Sequence, residues 1–145
     1  MSETVTREEY YAKQSELSRI EDQQKSCKKN IDSLEGQLEA VDKAISEMEQ
    51  LEDDFGKEQS KLTDCIRDTG DFKGDNYDRL ISGTGESLIR QMKESKSKIN
   101  KAADDLIDLR TKLQKEKNKQ WGIFSGLADA WSSVKGWINK HANDF

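Results

Sequence analysis

Apolar residues recur along most of the chain at alternating steps of three and four, the pattern of a helix that packs against another helix. The positions form two runs with one interruption between them. The first run is Tyr10, Lys13, Leu17, Ile20, Gln24, Cys27, Ile31, Leu34, Leu38, Val41, Ile45, Met48, Glu52, Phe55, Gln59, Leu62 and Ile66. The second run is Ile81, Gly85, Leu88, Met92, Ser95, Ile99, Ala102, Leu106, Leu109 and Leu113. The pattern predicts an all-α fold: a long antiparallel helical hairpin resembling a coiled coil.

Residues at the ends of the runs predict the helix limits. Thr6 followed by Glu9 is a capping box, which places the start of helix one there. Ser82 to Gly85 has poor helix propensity, so we expect a kink or a mobile first turn in helix two. The predicted single domain, 1–145, contains helix one at about 6–68, a turn at 69–76, helix two at about 77–119 and an amphipathic tail at 120–141.

The tail carries two apolar stripes where the rest of helix two has one. One stripe continues the heptad pattern through Ile123, Leu127, Ala130, Val134 and Trp137, with Val134 expected opposite Tyr10. The other is Phe124, Leu127, Ala128, Trp131 and Ile138, and it is left without a place in the hairpin. The predicted partner-binding residues are therefore Trp121, Phe124, Leu127, Trp131, Trp137 and Ile138. Two alternatives stay open: the tail completes the hairpin interface, or it lies on a membrane surface.

Composition supports a narrow interface between helices rather than a broad core. Hydrophobic residues make up 32% of the chain and charged residues 37%, and proline is absent. Residues 1–70 carry 18 acidic and 10 basic side chains, whereas residues 71–145 carry 11 acidic and 14 basic. Halves of opposite charge suit two helices that pack together. Neither half is basic enough to predict nucleic-acid binding.

No catalytic, cofactor or metal site is predicted. The chain has a single histidine, His141, and its two cysteines, Cys27 and Cys65, lie too far apart on one predicted helix to form a disulfide. Free thiols favour a reducing cytoplasm. No N-terminal signal peptide and no membrane-spanning stretch is predicted. The expected protein is non-enzymatic and cytoplasmic, and co-secretion without a signal peptide remains open.

The turn carries a motif with a resemblance to a known family. Phe72 is followed by Gly74 and then by Tyr77, which opens the next helix. This arrangement resembles the Trp-x-Gly turn of the WXG-type helical hairpins of bacterial type VII secretion, with phenylalanine in place of tryptophan. The length, the acidic first arm and the amphipathic tail are similar to those of the YwqH-like group, helical proteins encoded beside LXG toxins.

The resemblance implies a partner role. Such a protein would bind the helical N-terminal targeting domain of the toxin side by side, with room for a second small helical protein, and would assist export. The family's export signal, an aromatic residue followed four residues later by an acidic one, is missing here, so a partner would supply it. The alternative function is a self-associating coiled-coil scaffold or a membrane-surface scaffold.

Overall fold

The computed structural model of the chain describes residues 5–68 and 81–144, with side chains from 5 to 65 and from 83 to 144. The predicted turn at 69–76 lies outside these residues, as does its motif of Phe72, Gly74 and Tyr77.

Two long α-helices contain almost all of the described residues. Helix α1 is Arg7–Asp68, and helix α2 is Glu86–His141, preceded by a π-helical turn at Ile81–Gly85. No strand occurs in this part of the chain. The predicted all-α class, with two long helices that pack against each other, is confirmed.

The predicted capping box begins α1. The backbone N–H of Glu9 donates to Thr6 Oγ1 at 3.1 Å, and the backbone N–H of Thr6 donates to Glu9 Oε2 at 3.4 Å. Two backbone donors that the first turn leaves without helical partners are thereby satisfied. Glu8 and Glu9 also place negative charge at the positive end of the helix dipole.

The segment of weak helix propensity at the start of the second helix forms a π-helical turn, Ile81–Gly85. Its two glycines have low helix propensity, and looser i→i+5 hydrogen bonding occurs there. Downstream, α2 continues without interruption through Lys119 to His141. The predicted helix two and the predicted tail are therefore parts of one helix.

The contacts of the chain fall into two compact units. Unit 1 is Met1–Leu38 with Lys112–Phe145, and unit 2 is Glu39–Thr111. In unit 1, Ile20, Val134 and Ile138 form a buried cluster. The half-buried residues packed against this cluster are Tyr10, Leu17, Leu127, Ala130, Trp131 and Trp137. Tyr10, expected opposite Val134, belongs to the same core, and its ring lies 6.4 Å from that of Trp137.

Beyond Ile20 along α1, small and apolar side chains fill the interface between the two helices of unit 1. Ile31 has no exposed surface at all, and Cys27 is 4% exposed. The Cys27 thiol donates to the backbone carbonyl of Gln120 at 3.1 Å, which ties α1 to α2 at this level. Lys117 Nζ lies 3.5 Å from Glu35 Oε1, one further contact between the helices.

In unit 2, Val41 and Ala103 are buried. Arg110 forms an ion pair with Asp42, and the Lys96 ammonium lies beside Gly56. From Asp42 to Gly56 the chain advances by two heptads on α1, while from Arg110 to Lys96 it goes back by two heptads on α2. The two segments therefore run antiparallel in a constant heptad register.

The α1 half of the predicted heptad pattern is confirmed. Every one of its positions from Tyr10 to Leu62 is buried or half-buried, the polar ones included. On each helix the predicted positions form two columns, in each of which the residues repeat every seven positions. On α2, only one of the two predicted columns faces α1 throughout. Leu88 and Leu109, predicted to face α1, are each 43% exposed, and Ala103 is 7% exposed in the position expected for Ala102.

The second column of α2 is thus shifted by one residue, to Ile89, Lys96 and Ala103 in unit 2, and it ends at Arg110, whose side chain is 54% exposed and reaches Asp42 at the edge of the interface. Two of these residues are cationic, and a hydrophobic pattern read from sequence does not assign cations to a helix interface. Lysine and arginine cover apolar surface with their aliphatic stems while their charged ends remain in water or reach a carboxylate. The partner of Arg110 is Asp42 on the opposite helix.

Candidate interaction surfaces

Four of the six predicted partner-binding residues lie in the core of unit 1. Ile138 is 6% exposed and belongs to the buried cluster, and Leu127, Trp131 and Trp137 pack against that cluster. The stripe predicted to be free, which includes Trp131 and Ile138, is therefore the helix interface. For these four residues the structure agrees with the alternative in which the tail completes the hairpin.

The one-residue shift of α2 explains why the stripe predicted to be free is the helix interface. Phe124, Trp131 and Ile138 continue the shifted column in steps of seven, so they face α1. Ile123, predicted to pack against α1, is instead 45% exposed.

Two of the tryptophans are held by polar partners inside unit 1. The Trp131 indole N–H donates to Glu21 Oε1 at 3.0 Å. The Trp137 ring lies 6.4 Å from the ring of Tyr10 and 4.6 Å from the ring of His141. His141, the last residue of α2, also contacts the residues after the helix: its Nδ1 lies 2.8 Å from Asp144 Oδ2.

The remaining two predicted residues, Trp121 and Phe124, form a surface. Trp121 is 39% exposed, and its ring meets the half-buried Phe124 ring edge-on at 5.6 Å. Lys28 Nζ lies 4.9 Å above the Trp121 ring, a cation–π contact that keeps the indole against α1.

An open groove of about 330 Å³ runs beside this pair, lined by Glu21, Gln24, Lys25, Lys28 and Phe124. We call these residues together with Trp121 the Trp121 surface. It combines an exposed, pre-positioned aromatic side chain with hydrogen-bonding groups of both charges. Exposed tryptophans next to a groove are typical anchors of protein interfaces.

A second apolar surface lies on unit 2, and the sequence pattern did not reveal it. Leu51 is 47% exposed, and Leu88 and Leu109 are 43% exposed. Leu51 directly precedes Glu52 of an interface column on α1, and Leu88 and Leu109 directly precede residues of the shifted column on α2. In an antiparallel pair of helices, these positions lie on the same side. Ala44, Cys65 and Ala102 occupy equivalent positions, and the polar residues Glu58 and Ser95 occupy the two equivalent positions that remain between them. We call the six apolar residues, Leu51, Leu88, Leu109, Ala44, Cys65 and Ala102, the Leu51 face.

The opposite side of unit 2 is mostly polar. It carries the Asp42–Arg110 ion pair and an open groove of about 590 Å³ lined by Glu49, Glu52, Asp53, Gly56, Lys57, Ser60, Lys61 and Lys96. Ile107, 46% exposed, is the large apolar residue on this side. The one-residue shift of α2 exposes the Leu51 face, because it moves Leu88 and Leu109 from the interface to the surface.

Within the described residues, no group of three or more histidine, cysteine, aspartate or glutamate side chains is arranged to hold a metal ion. Neither α1 nor α2 contains a segment apolar enough and long enough to cross a membrane. Comparison of the chain with protein-family models, with curated proteins and with solved structures finds no match.

Proposed function

We propose that the protein is a non-enzymatic adaptor that binds the helical N-terminal targeting domain of an LXG-type toxin and assists its export by type VII secretion. The observation that carries the proposal is the Trp121 surface, which presents an exposed tryptophan on a helical hairpin. A helix of the toxin domain would lie along the groove and cover Trp121 and Phe124.

Polar residues at the helix interface support a role in partner choice. Gln24, Glu52 and Gln59 are half-buried at positions where apolar residues would give more stability. Polar side chains at such positions fix helix register and select partners at some cost in stability. Gln24 also lines the groove of the Trp121 surface, so it is placed to contact a bound helix.

The site of action follows from the missing export signal. No aromatic residue of the chain is followed four residues later by an acidic one. In this proposal the adaptor joins the toxin domain in the cytoplasm, and the toxin or a second small helical protein supplies the signal.

Co-expression with the helical domain of the toxin encoded by the adjacent gene tests the proposal. A complex on a sizing column is expected for the natural chain and for Ile123→Glu, whereas Trp121→Glu should lose it. Ile123 is a matched control because it is 45% exposed and lies only two residues from Trp121. Absence of a complex with the natural chain would refute the adaptor function. Equal binding by Trp121→Glu would refute the surface.

A further inference from the structure

We infer that the Leu51 face of unit 2 is the contact between two copies of this chain, which pair as a two-fold symmetric, antiparallel four-helix bundle. The inference goes beyond the proposed function, since it concerns a different unit and a partner that is identical to the chain itself.

The Leu51 face is complementary in shape to a second copy of itself. The register set by the Asp42–Arg110 pair places Leu51 level with Ala102 to within one residue. By the same register, Ala44 is level with Leu109 and Cys65 is level with Leu88. Along the face, each leucine of one helix is therefore level with a small residue of the other.

A two-fold axis parallel to the helices brings the leucines of one copy onto the small residues of the other. It places α1 of one copy on α2 of the other at the same level and in antiparallel orientation. Leu51 then meets the partner's Ala102, and Leu109 meets the partner's Ala44. Alternating large and small residues across a contact lets two layers interdigitate without voids. An axis perpendicular to the helices at the level of Leu51 would instead place Leu51 on the partner's Leu51.

The charges of the two helices also favour the parallel axis. Residues 39–65 of α1 carry nine acidic and three basic side chains, whereas residues 86–111 of α2 carry five acidic and six basic. Packing α1 against the partner's α1 would bring two acidic segments together. In the parallel-axis arrangement each acidic segment has the mixed-charge α2 segment on both sides, which lowers the repulsion.

The area of the face is large enough for a weak dimer. The Leu51 face extends over 22 residues of α1, and the 21 steps from Ala44 to Cys65 span about 32 Å at 1.5 Å per residue. Two helices side by side are about 20 Å wide, so the face offers about 600 Å² per copy. A contact of about 1,200 Å² in total is at the lower end of specific interfaces, the size class of weak and transient complexes, so we expect a dimer of micromolar affinity.

Light scattering on a sizing column, with the purified full chain alone at loading concentrations from about 5 to 500 μM, tests the inference around this affinity. The natural chain should change from 16.6 kDa toward twice that mass as the concentration rises. Leu51→Glu should remain at the monomer mass with unchanged helix content, because Leu51 is exposed within one copy. Ile107→Glu is the matched control: it is 46% exposed against 47% for Leu51 but lies on the opposite side, so it should still dimerise.

A charge exchange tests the orientation. Asp54 and Lys98 border the face, and in the parallel-axis arrangement Asp54 of one copy is level with the partner's Lys98. Asp54→Lys and Lys98→Glu should each weaken the dimer about threefold, and the double variant should restore it.

Four results would overturn the inference: a natural chain that stays monomeric throughout, a dimer unaffected by Leu51→Glu, equal loss in Ile107→Glu, or a double variant weaker than either single one. None of these results bears on the complex with the toxin domain, which is measured separately through Trp121.

Discussion

Replacing Ile31 by alanine should destabilise unit 1 strongly, because Ile31 is the one large side chain in the described residues with essentially no exposed surface. The substitution removes three buried carbon atoms, worth about 0.8 kcal/mol each in transfer free energy. The cavity left behind adds a further term, although two helices can partly close over it. The free energy of unfolding should fall by about 3 kcal/mol.

Ile123→Ala is the control for this prediction. It is the same substitution on a helix, so the difference in intrinsic helix propensity cancels between the two variants. Ile123 is 45% exposed, and its replacement should change the free energy of unfolding by no more than about 0.5 kcal/mol.

Urea and thermal unfolding, followed by far-UV circular dichroism at equal protein concentration, measure both variants. With about 2.1 cal/mol/K of unfolding entropy per residue, a loss of 3 kcal/mol corresponds to a fall of about 10 °C in Tm. Equal concentration is required because dimerisation itself would raise Tm. A difference of less than about 1 kcal/mol between Ile31→Ala and Ile123→Ala would refute the closed interface described for unit 1.

Three further predictions concern α1. Gly36→Ala should raise the free energy of unfolding by about 1 kcal/mol, since Gly36 lies inside the helix and an added Cβ would have no atom within 4 Å; a destabilised variant in urea unfolding would contradict this. Thr6→Ala should lower the free energy of unfolding by about 1 kcal/mol through loss of the cap, and an unchanged urea midpoint would show that the cap is not formed in solution. In a thiol-reagent assay the exposed Cys65 should react rapidly and the buried Cys27 only on unfolding, so that two rapidly reacting thiols in the folded protein would argue against the Cys27 contact with Gln120.

The sequence predicted the helices well because their signals are local and redundant. The Thr6–Glu9 capping box sets the start of α1, and sixteen heptad positions from Tyr10 to Leu62 all proved buried or half-buried. An apolar residue every three or four positions over such a length is compatible with only one helix face.

The candidate surfaces were harder to predict because α2 has three neighbouring columns with apolar residues. A periodic pattern favoured the column of Leu88 and Leu109, whereas the structure uses the column of Lys96 and Arg110. That choice depends on the acidic groups of the other helix, such as Asp42, and on the ability of long cationic side chains to cover apolar neighbours. Both are properties of the pair of helices, and neither is visible in the periodicity of α2 alone.

All three tryptophans of the chain, Trp121, Trp131 and Trp137, lie in unit 1. Intrinsic tryptophan fluorescence therefore reports on one unit of the protein, whereas ellipticity reports on both. The Trp131 signal depends on its hydrogen bond to Glu21, and the Trp121 signal depends on the nearby Lys28 cation. Recording both signals in one denaturation experiment measures how tightly the two units are coupled: coincident midpoints mean a single cooperative transition, and separate midpoints give each unit its own stability without any added label.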